Sequence, residues 1–284
     1  MTNKLSRVDQ ICIVGLGLMG GSYAKRLAFK GFNVNGIDIK EENIKFAKKQ
    51  HWINEGSQEA DLVSNADLII LALYPQTLVE WVKTNHHLFK KGCIITDVTG
   101  VKRVVVNKVE SILDNECFFV ASHPMAGREL MGIEYADPSV FNDANFIITP
   151  TKNSNVAAIE KVEDLAKVLE FKKISRLSLD EHDEMIAYLS QLTHVIAINL
   201  MNCQQKEHLE DYTGDSFRDL TRIAKINEKM WTELFIDNKD YLLREMNLFE
   251  ISFNKFKEAL IKEDTATLEE MMISSRIQRK KFDK

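Results

Sequence analysis

The chain is expected to fold as an α/β N-terminal part, built on a doubly wound parallel sheet, followed by an all-α C-terminal part. Three observations predict this. A glycine turn, Gly15-Leu16-Gly17-Leu18-Met19-Gly20, follows a short apolar run and precedes a proline-free helical stretch. Apolar runs of strand length then alternate with helical patterns as far as Thr149, which argues parallel strands with helices on both faces. Beyond Pro150 there is no proline, and from about Asp180 the hydrophobic spacing turns helical. The division is therefore expected at residues 1–179, a dinucleotide-binding domain, and 180–284, a helical domain for substrate and dimerisation.

Residues 11–14 are apolar and partly β-branched, as a buried parallel strand requires. In the turn that follows, Gly15 permits the sharp bend, Gly17 lets a pyrophosphate approach the backbone, and Gly20 lets helix pack on strand. The helix over 18–30, with Met19, Ala24, Leu27 and Ala28 at apolar spacing, would aim free N–H groups and its positive dipole end at phosphates. A second strand, 33–37, ends at Asp38, 23 residues after Gly15. A carboxylate there accepts from the adenosine ribose hydroxyls and repels a 2′-phosphate, so NAD is expected over NADP, although Lys40 stands nearby. Strand, turn, helix, strand and acid in this order make a Rossmann-like cofactor site of Gly15, Gly17, Leu18, Met19, Gly20 and Asp38.

Further strands are expected at 68–73, 93–97, 117–121 and 145–149, with helices at 76–84 and 101–113 between them. Ligands of such sheets bind at the carboxyl ends of the strands. Those ends carry Tyr74-Pro75, Asp97-Val98-Thr99-Gly100 and Ser122-His123-Pro124, and Tyr74 joins the expected cofactor contacts. In the second half, helices are expected at 181–206, 227–235, 239–262 and 266–279, the first with Asp180 as N-cap and Asp183 at N3. Its stretch MIAYLSQLTHVIAINLMN is apolar nearly all round, which suits a large core or a subunit interface, so a homodimer is expected.

Composition narrows the class. A content of 45% hydrophobic and 28% charged residues fits a globular chain, and a net charge of −5 gives no reason to expect nucleic acid or an anionic membrane as partner. No window approaches the roughly 18 apolar residues of a membrane span, and MTNKLSRVDQ lacks the apolar core of a signal peptide, so a cytoplasmic location is expected. Cys12, Cys93, Cys117 and Cys203 form no CxxC pair and are expected as reduced thiols. No metal site is expected, since His86, His87 and His182 lack Cys or His neighbours at ligand spacing.

Several side chains could carry chemistry. His123, in SHPMAG, lies just after a strand with Pro124 stiffening the turn, where an imidazole can act as base or hydrogen-bond acceptor near neutral pH. Arg218 and Arg222 are four residues apart, and two guanidiniums on one helix face suit carboxylates. A solvated face paired to Asp215 and Asp219 is the plainer reading of those arginines. Ser190 and His194 share a helical face, and Trp231 follows; both His194 and Trp231 also fit a core. A small anionic substrate oxidised by NAD would use all of them.

At this point the chain resembles the prephenate dehydrogenase family. The matching blocks are GLGLMGGS, DVTGVK, SHPMAG with Gly132 following, DEHD, the SxLxH segment and FRDLTRIA ending at Met230-Trp231, in family order from residue 11 to Asn238. The resemblance implies NAD-dependent oxidative decarboxylation of prephenate to 4-hydroxyphenylpyruvate and CO2. It implies that His123 hydrogen-bonds the ring hydroxyl as the catalytic residue, that Arg222 holds a substrate carboxylate, and that His194 and Trp231 line the pocket with Arg218 at its mouth. Ser122 and Thr99 complete the expected substrate contacts. Three departures stand out. Gly100 replaces a serine of many relatives, so that a polar substrate contact is either missing or supplied by Thr99; Gln191 stands where a first histidine is usual; and Arg218 occupies a position that is lysine in some relatives. With the helices reaching the chain's end and the glycine turn near its start, neither an ACT domain nor a chorismate mutase is expected. Rival readings are arogenate dehydrogenase, a β-hydroxyacid dehydrogenase and a non-catalytic NAD sensor.

Overall fold

The computed structural model describes residues 4–114, 116–128, 130–204 and 207–283. Eight strands form one sheet: β1 (Gln10–Val14), β2 (Asn33–Ile37), β3 (Gly56–Ser57), β4 (Leu68–Leu71), β5 (Ile94–Asp97), β6 (Phe118–Pro124), β7 (Asn145–Pro150) and β8 (Lys173–Arg176). Their order is β3-β2-β1-β4-β5-β6-β7-β8. All neighbours are parallel except β6 and β7, which run antiparallel with Ser122 opposite Ile148 and His123 opposite Ile147. The expected parallel sheet is thus corrected at one pair. Among the described residues no helix crosses over between β6 and β7; short 3-10 turns at Ile133–Tyr135 and Pro138–Phe141 return the chain instead. A connection without a crossover delivers the next strand antiparallel. The two edge strands β3 and β8 escaped the pattern because one has two residues and the other, KISR, is largely polar.

Alternation along β1 shows how the layers form. Ile11 and Ile13 face one core, shared with Tyr23 and Leu27 of α1 (Leu18–Phe29) and with Val162 and Leu165 of α5 (Val156–Val168). Cys12 and Val14 face the other, with Leu78 and Val82 of α3 (Pro75–Asn85) and Val105, Val106 and Val109 of α4 (Arg103–Ile112). Side chains of period two on a strand and period 3.6 on a helix leave this two-sided burial as the stable arrangement. The remaining helix of this part, α2 (Glu41–Lys49), buries Ile44 and Ala47 beside β2.

The helical part comprises α6 (Leu179–Ile186), α7 (Thr193–Asn202), α8 (Asp215–Thr221), α9 (Glu228–Asp237), α10 (Lys239–Ile261) and α11 (Thr265–Arg279). The single helix expected over 181–206 is instead α6 and α7 joined by a π-helical stretch, Ala187–Leu192. Its expected end, at Gln205-Lys206, lies outside the described residues. The expected cap is also corrected. Ser178 caps α6 in a reciprocal box with Glu181, while Asp183 is fully buried and bonded elsewhere. Serine and glutamate three apart satisfy two orphan N–H groups at once, which an aspartate at 180 could not do two residues later. Among the described residues no helix is long and apolar enough to cross a membrane.

Because Ser178 is the cap, Ser178→Ala should lower unfolding free energy by about 1 kcal/mol in chemical denaturation. An unchanged midpoint would return the cap to Asp180.

Candidate active site

The glycine turn joins β1 to α1 at the carboxyl edge of the sheet. Gly15 sits at φ +91°, and a Cβ there would lie 2.5 Å from the Ala72 carbonyl oxygen of the neighbouring strand's end. A Cβ on Gly20 would overlap the Gly15 carbonyl oxygen, so helix and turn meet there without any side chain between them. Gly17 differs: no atom lies within 4 Å of its missing Cβ. It is also the N-cap of α1, and no side chain caps that helix. Open space beside the uncapped N–H groups around Leu18 and Met19 fits an anionic group such as a pyrophosphate.

Asp38, at the end of β2, is tied to this turn. Its Oδ2 accepts from the Leu16 N–H at 2.7 Å and from Asn43 Nδ2 at 3.2 Å, and its Oδ1 accepts from the Lys40 N–H at 2.8 Å. A carboxylate has about four acceptor sites, so the half-exposed group keeps capacity for a hydroxyl donor. Tyr74 precedes α3, and its hydroxyl accepts from Asn227 Nδ2 at 2.8 Å, which links the sheet edge to the start of α9.

His123 lies near the end of β6, half-buried. Its Nδ1 is 2.9 Å from His182 Nε2 on α6, and His182 Nδ1 is 2.8 Å from Asp183 Oδ1. Asp183 also accepts the N–H groups of Lys102 and Arg103, each at 2.8 Å, at the start of α4. The Nε2 of His123 lies 3.9 Å from the position a Cβ on Gly100 would take, and Leu234 closes the same space at 3.3 Å. Burial above all, then the charges of His182 and Lys102, holds the His123 imidazole well below its ordinary pKa, so it is neutral at neutral pH.

Beneath His123 is a buried ionic knot. Lys102, on the turn before α4, places its ammonium 2.6 Å from Asp97 Oδ2 and 3.1 Å from Thr99 Oγ1, and it also donates to the Ser122 carbonyl. Both Lys102 and Asp97 are fully buried. The Ser122 N–H donates to Asp97 Oδ1 at 3.0 Å, and the Ser122 hydroxyl donates to the Asp97 carbonyl at 2.8 Å. The side chains of Ser122 and Thr99, expected as substrate contacts, are both hydrogen-bonded within this knot. Neighbouring residues on a strand face opposite ways, so Ser122 points inward where His123 points to the site. The Thr99 hydroxyl is occupied by Asp97 and Lys102, so it does not replace a side chain missing at Gly100.

In the helical part, the rings of His194 and Trp231 lie 3.7 Å apart at 32°, and His194 Nδ1 is bonded to the Ser190 carbonyl at 2.8 Å. Arg218 is exposed; its guanidinium pairs with Asp215 at 2.5 Å and donates to the Thr213 carbonyl at 3.0 Å. Arg222, also exposed, opens a 3-10 turn at Arg222–Ala224 where α8 has just ended. Gln191, the second departure, is buried: it donates to the Leu234 carbonyl at 2.7 Å and accepts from Asn238 at 2.8 Å. That amide joins α9 and α10 to the π-helical stretch.

The residues missed by sequence reasoning are His182, Asp183, Lys102 and Asp97. Their signals were present in DEHD and DVTGVK, but a capping explanation covered the acids of DEHD, and nothing in the spacing tells that a lysine is buried.

A glycine turn opening onto an uncapped helix start, an acid at the end of β2 and a strand-end histidine beneath a helical partner define a nucleotide-binding α/β protein of the kind dehydrogenases are built on. The family model described as prephenate dehydrogenase, nucleotide-binding domain, matches residues 23–174, and that described as prephenate dehydrogenase, dimerization domain, matches 178–274. The chain belongs to the prephenate dehydrogenase family and is an oxidoreductase. It is 31% identical over 273 residues to prephenate dehydrogenase of Bacillus subtilis (strain 168), covering 92% of this chain and 72% of that one. Cyclohexadienyl dehydrogenase of Zymomonas mobilis is 28% identical, covering 89% of each chain. The crystal structure of prephenate dehydrogenase from A. aeolicus in complex with hydroxyphenyl propionate and NAD+ superimposes with a TM-score of 0.90 at 30% identity, covering 98% of this chain and 99% of that one.

The glycines separate two effects. Gly17→Val, at an open position with ordinary φ, should keep the wild-type Tm but weaken dinucleotide binding at least about tenfold, the worth of a lost charged hydrogen bond. Gly20→Ala should instead lower Tm in the absence of any ligand. Unaltered dinucleotide affinity in a folded Gly17→Val protein would remove the cradle.

Proposed function

We propose that the protein is an NAD-dependent prephenate dehydrogenase acting as a homodimer, which converts prephenate by oxidative decarboxylation to 4-hydroxyphenylpyruvate and CO2. The observation that carries this reading is the neutral His123 at the end of β6, on the same sheet edge as the glycine turn. Gly15, Gly17, Leu18, Met19 and Gly20 would cradle the dinucleotide, with Asp38 on its ribose and Tyr74 beside it. NAD+, when bound, supplies the acceptor for the hydride that leaves the ring carbon bearing the hydroxyl. His123 accepts the hydrogen bond of that hydroxyl and draws off its proton as the carbonyl forms. Arg222 clamps a substrate carboxylate, Arg218 guards the mouth, and His194 and Trp231 form a wall of the pocket. Loss of CO2 then gives an aromatic ring, so the side chains need mainly to orient the reacting groups.

Preference for prephenate is supported by the names of the Bacillus subtilis and A. aeolicus relatives. The Zymomonas mobilis relative, named cyclohexadienyl dehydrogenase, favours the second reading, in which arogenate is also used. Dimerisation is supported by the apolar side chains that a single chain leaves uncovered on α10 and α11, Leu248, Ile251, Phe253, Met272 and Ile277 among them. The chain divides into a nucleotide unit, residues 1–179, and a helical unit, 180–284, a reading supported by the ranges of the two family models, 23–174 and 178–274.

Turnover of prephenate with NAD, at a kcat/KM above that for arogenate or with NADP, is the expected result; no reduction of either cofactor with either substrate would sink the assignment. His123→Asn should lower kcat by about 10²- to 10⁴-fold with little change in NAD affinity. The low pKa of His123 keeps it unprotonated as the pH falls, so kcat/KM should hold through about pH 6.5, the ordinary histidine value, and drop only below it. An acid limb above that value would contradict a buried neutral base.

Arg222→Ala should raise the prephenate KM by roughly 10- to 150-fold, the range for a charged hydrogen bond. Lysine should recover only part of it, since a point charge lacks the guanidinium fork. An unchanged KM in the alanine variant would remove the clamp.

A further inference from the structure

We propose that His182 and Asp183 are positioning residues: through two consecutive hydrogen bonds they hold His123 in the tautomer whose Nε2 carries a lone pair. The proposal rests on the reading of His123 as the acceptor of the substrate hydroxyl, and it names what makes that nitrogen an acceptor. A neutral imidazole has one donor and one acceptor nitrogen, and its partners decide which is which.

The polarity of the chain starts at Asp183. Its carboxylate is fully buried, at the N-terminus of α4, and receives two backbone N–H groups there. Both of its oxygens are thus already acting as acceptors. A carboxylate only accepts, so the hydrogen bond from His182 Nδ1 to Asp183 Oδ1 requires the proton to be on that Nδ1. Burial above all holds the His182 imidazole below its ordinary pKa, against the pull of Asp183, which leaves it one proton. Its Nε2 is then an acceptor, and the atom 2.9 Å away, His123 Nδ1, must donate. His123 is neutral as well, so its single proton is spent on Nδ1. Nε2 is left with a lone pair on the side of Gly100.

The opposite tautomer of His123 would set two lone pairs against each other at 2.9 Å. It would also present an N–H to the substrate, which cannot take up a proton. The surroundings give no relief. The charged groups near the two rings are Lys102 and Asp97, bound to each other, and Arg103, whose Nε is 4.0 Å from Asp183 Oδ2. His182 has no room to turn: it is wholly buried, its ring meets His123 edge-on at 5.1 Å, and Asn238 fixes the Asp183 carbonyl at 2.9 Å.

The test is the nitrogen-15 spectrum of histidine-labelled, cofactor-free protein, with the His123 signals identified by their loss in His123→Asn. Wild-type protein should show a protonated, pyrrole-type Nδ1 and a pyridine-type Nε2 for His123. His182→Leu should leave His123 exchanging between tautomers and lower kcat, while prephenate KM and NAD affinity stay close to wild type. A histidine base in the wrong tautomer loses up to about 10⁴-fold in kcat. His182→Gln, whose Oε1 can accept from Nδ1, should restore the wild-type His123 pattern and most of kcat; a merely structural role for His182 predicts no such tautomer change. A proton on Nε2 in wild-type protein would overturn the proposal. So would unaltered His123 signals in His182→Leu, and if that variant does not fold, the wild-type and glutamine spectra still decide. Failure of the underlying reading looks different, with full turnover in His123→Asn whatever the spectra show.

Discussion

The ammonium of Lys102 is the interaction on which the site depends. It is wholly buried and bonded to Asp97, Thr99 and the Ser122 carbonyl, so it ties the end of β5 to the end of β6. Burial pushes its pKa down while Asp97 pushes it up. A charge so placed costs much in desolvation and is tolerated only when all its donors are used. Here all three are. The arrangement fixes the backbone at Ser122, and His123 is the next residue. Removing either partner of such a pair leaves an uncompensated buried charge, so the geometry has few neighbouring alternatives.

A second set of buried polar contacts seats the helical part on that edge. Asp183 receives the first N–H groups of α4, Asn238 reaches the Asp183 carbonyl and Gln191, and Gln191 reaches Leu234. Glu233 accepts the Gln76 N–H at the start of α3, and Asn227 donates to Tyr74. Each bond joins elements distant in the sequence, and most are shielded from water. Buried networks of this kind specify one arrangement of packed elements, because a slip of either side would strand several polar groups together. The π-helical stretch at Ala187–Leu192 falls where α6 leaves the sheet edge and Gln191 must meet α9. Such widened turns commonly occur at functional positions in helices.

Much of the fold was legible in the residues. Period-two burial in β1, the open Gly17 and the crowded Gly15 and Gly20 follow from local rules of sterics and spacing, and they hold in the structure. The helices expected at 227–235, 239–262 and 266–279 correspond to α9, α10 and α11, and Asn227 and Asp264 cap the first and last of them. Local rules failed where a distant contact decided the outcome. Asp183 has the composition of a helix-start acid, yet its hydrogen bonds run to residues 102 and 103, some 80 positions away. Ser178 and Glu181 formed the nearer box and left it free for that role.

The sequence by itself determined that a glycine turn, the acid at 38 and a strand-end histidine would share one edge of a wound sheet, because these features depend on neighbours within a few residues or on the βαβ repeat. It also contained the family blocks, from the glycine turn to the tryptophan at 231. Only the tertiary structure decided which polar residues face the site and which hold it up. Ser122 and Thr99 turned out to be fastenings of the Lys102 knot, and His182 proved to stand between His123 and Asp183. The reason is physical: a hydroxyl or an imidazole is equally suited to solvent, substrate or a buried partner. Which of these it meets depends on the packing of β5, β6, α4 and α6, elements that no short stretch of sequence brings together.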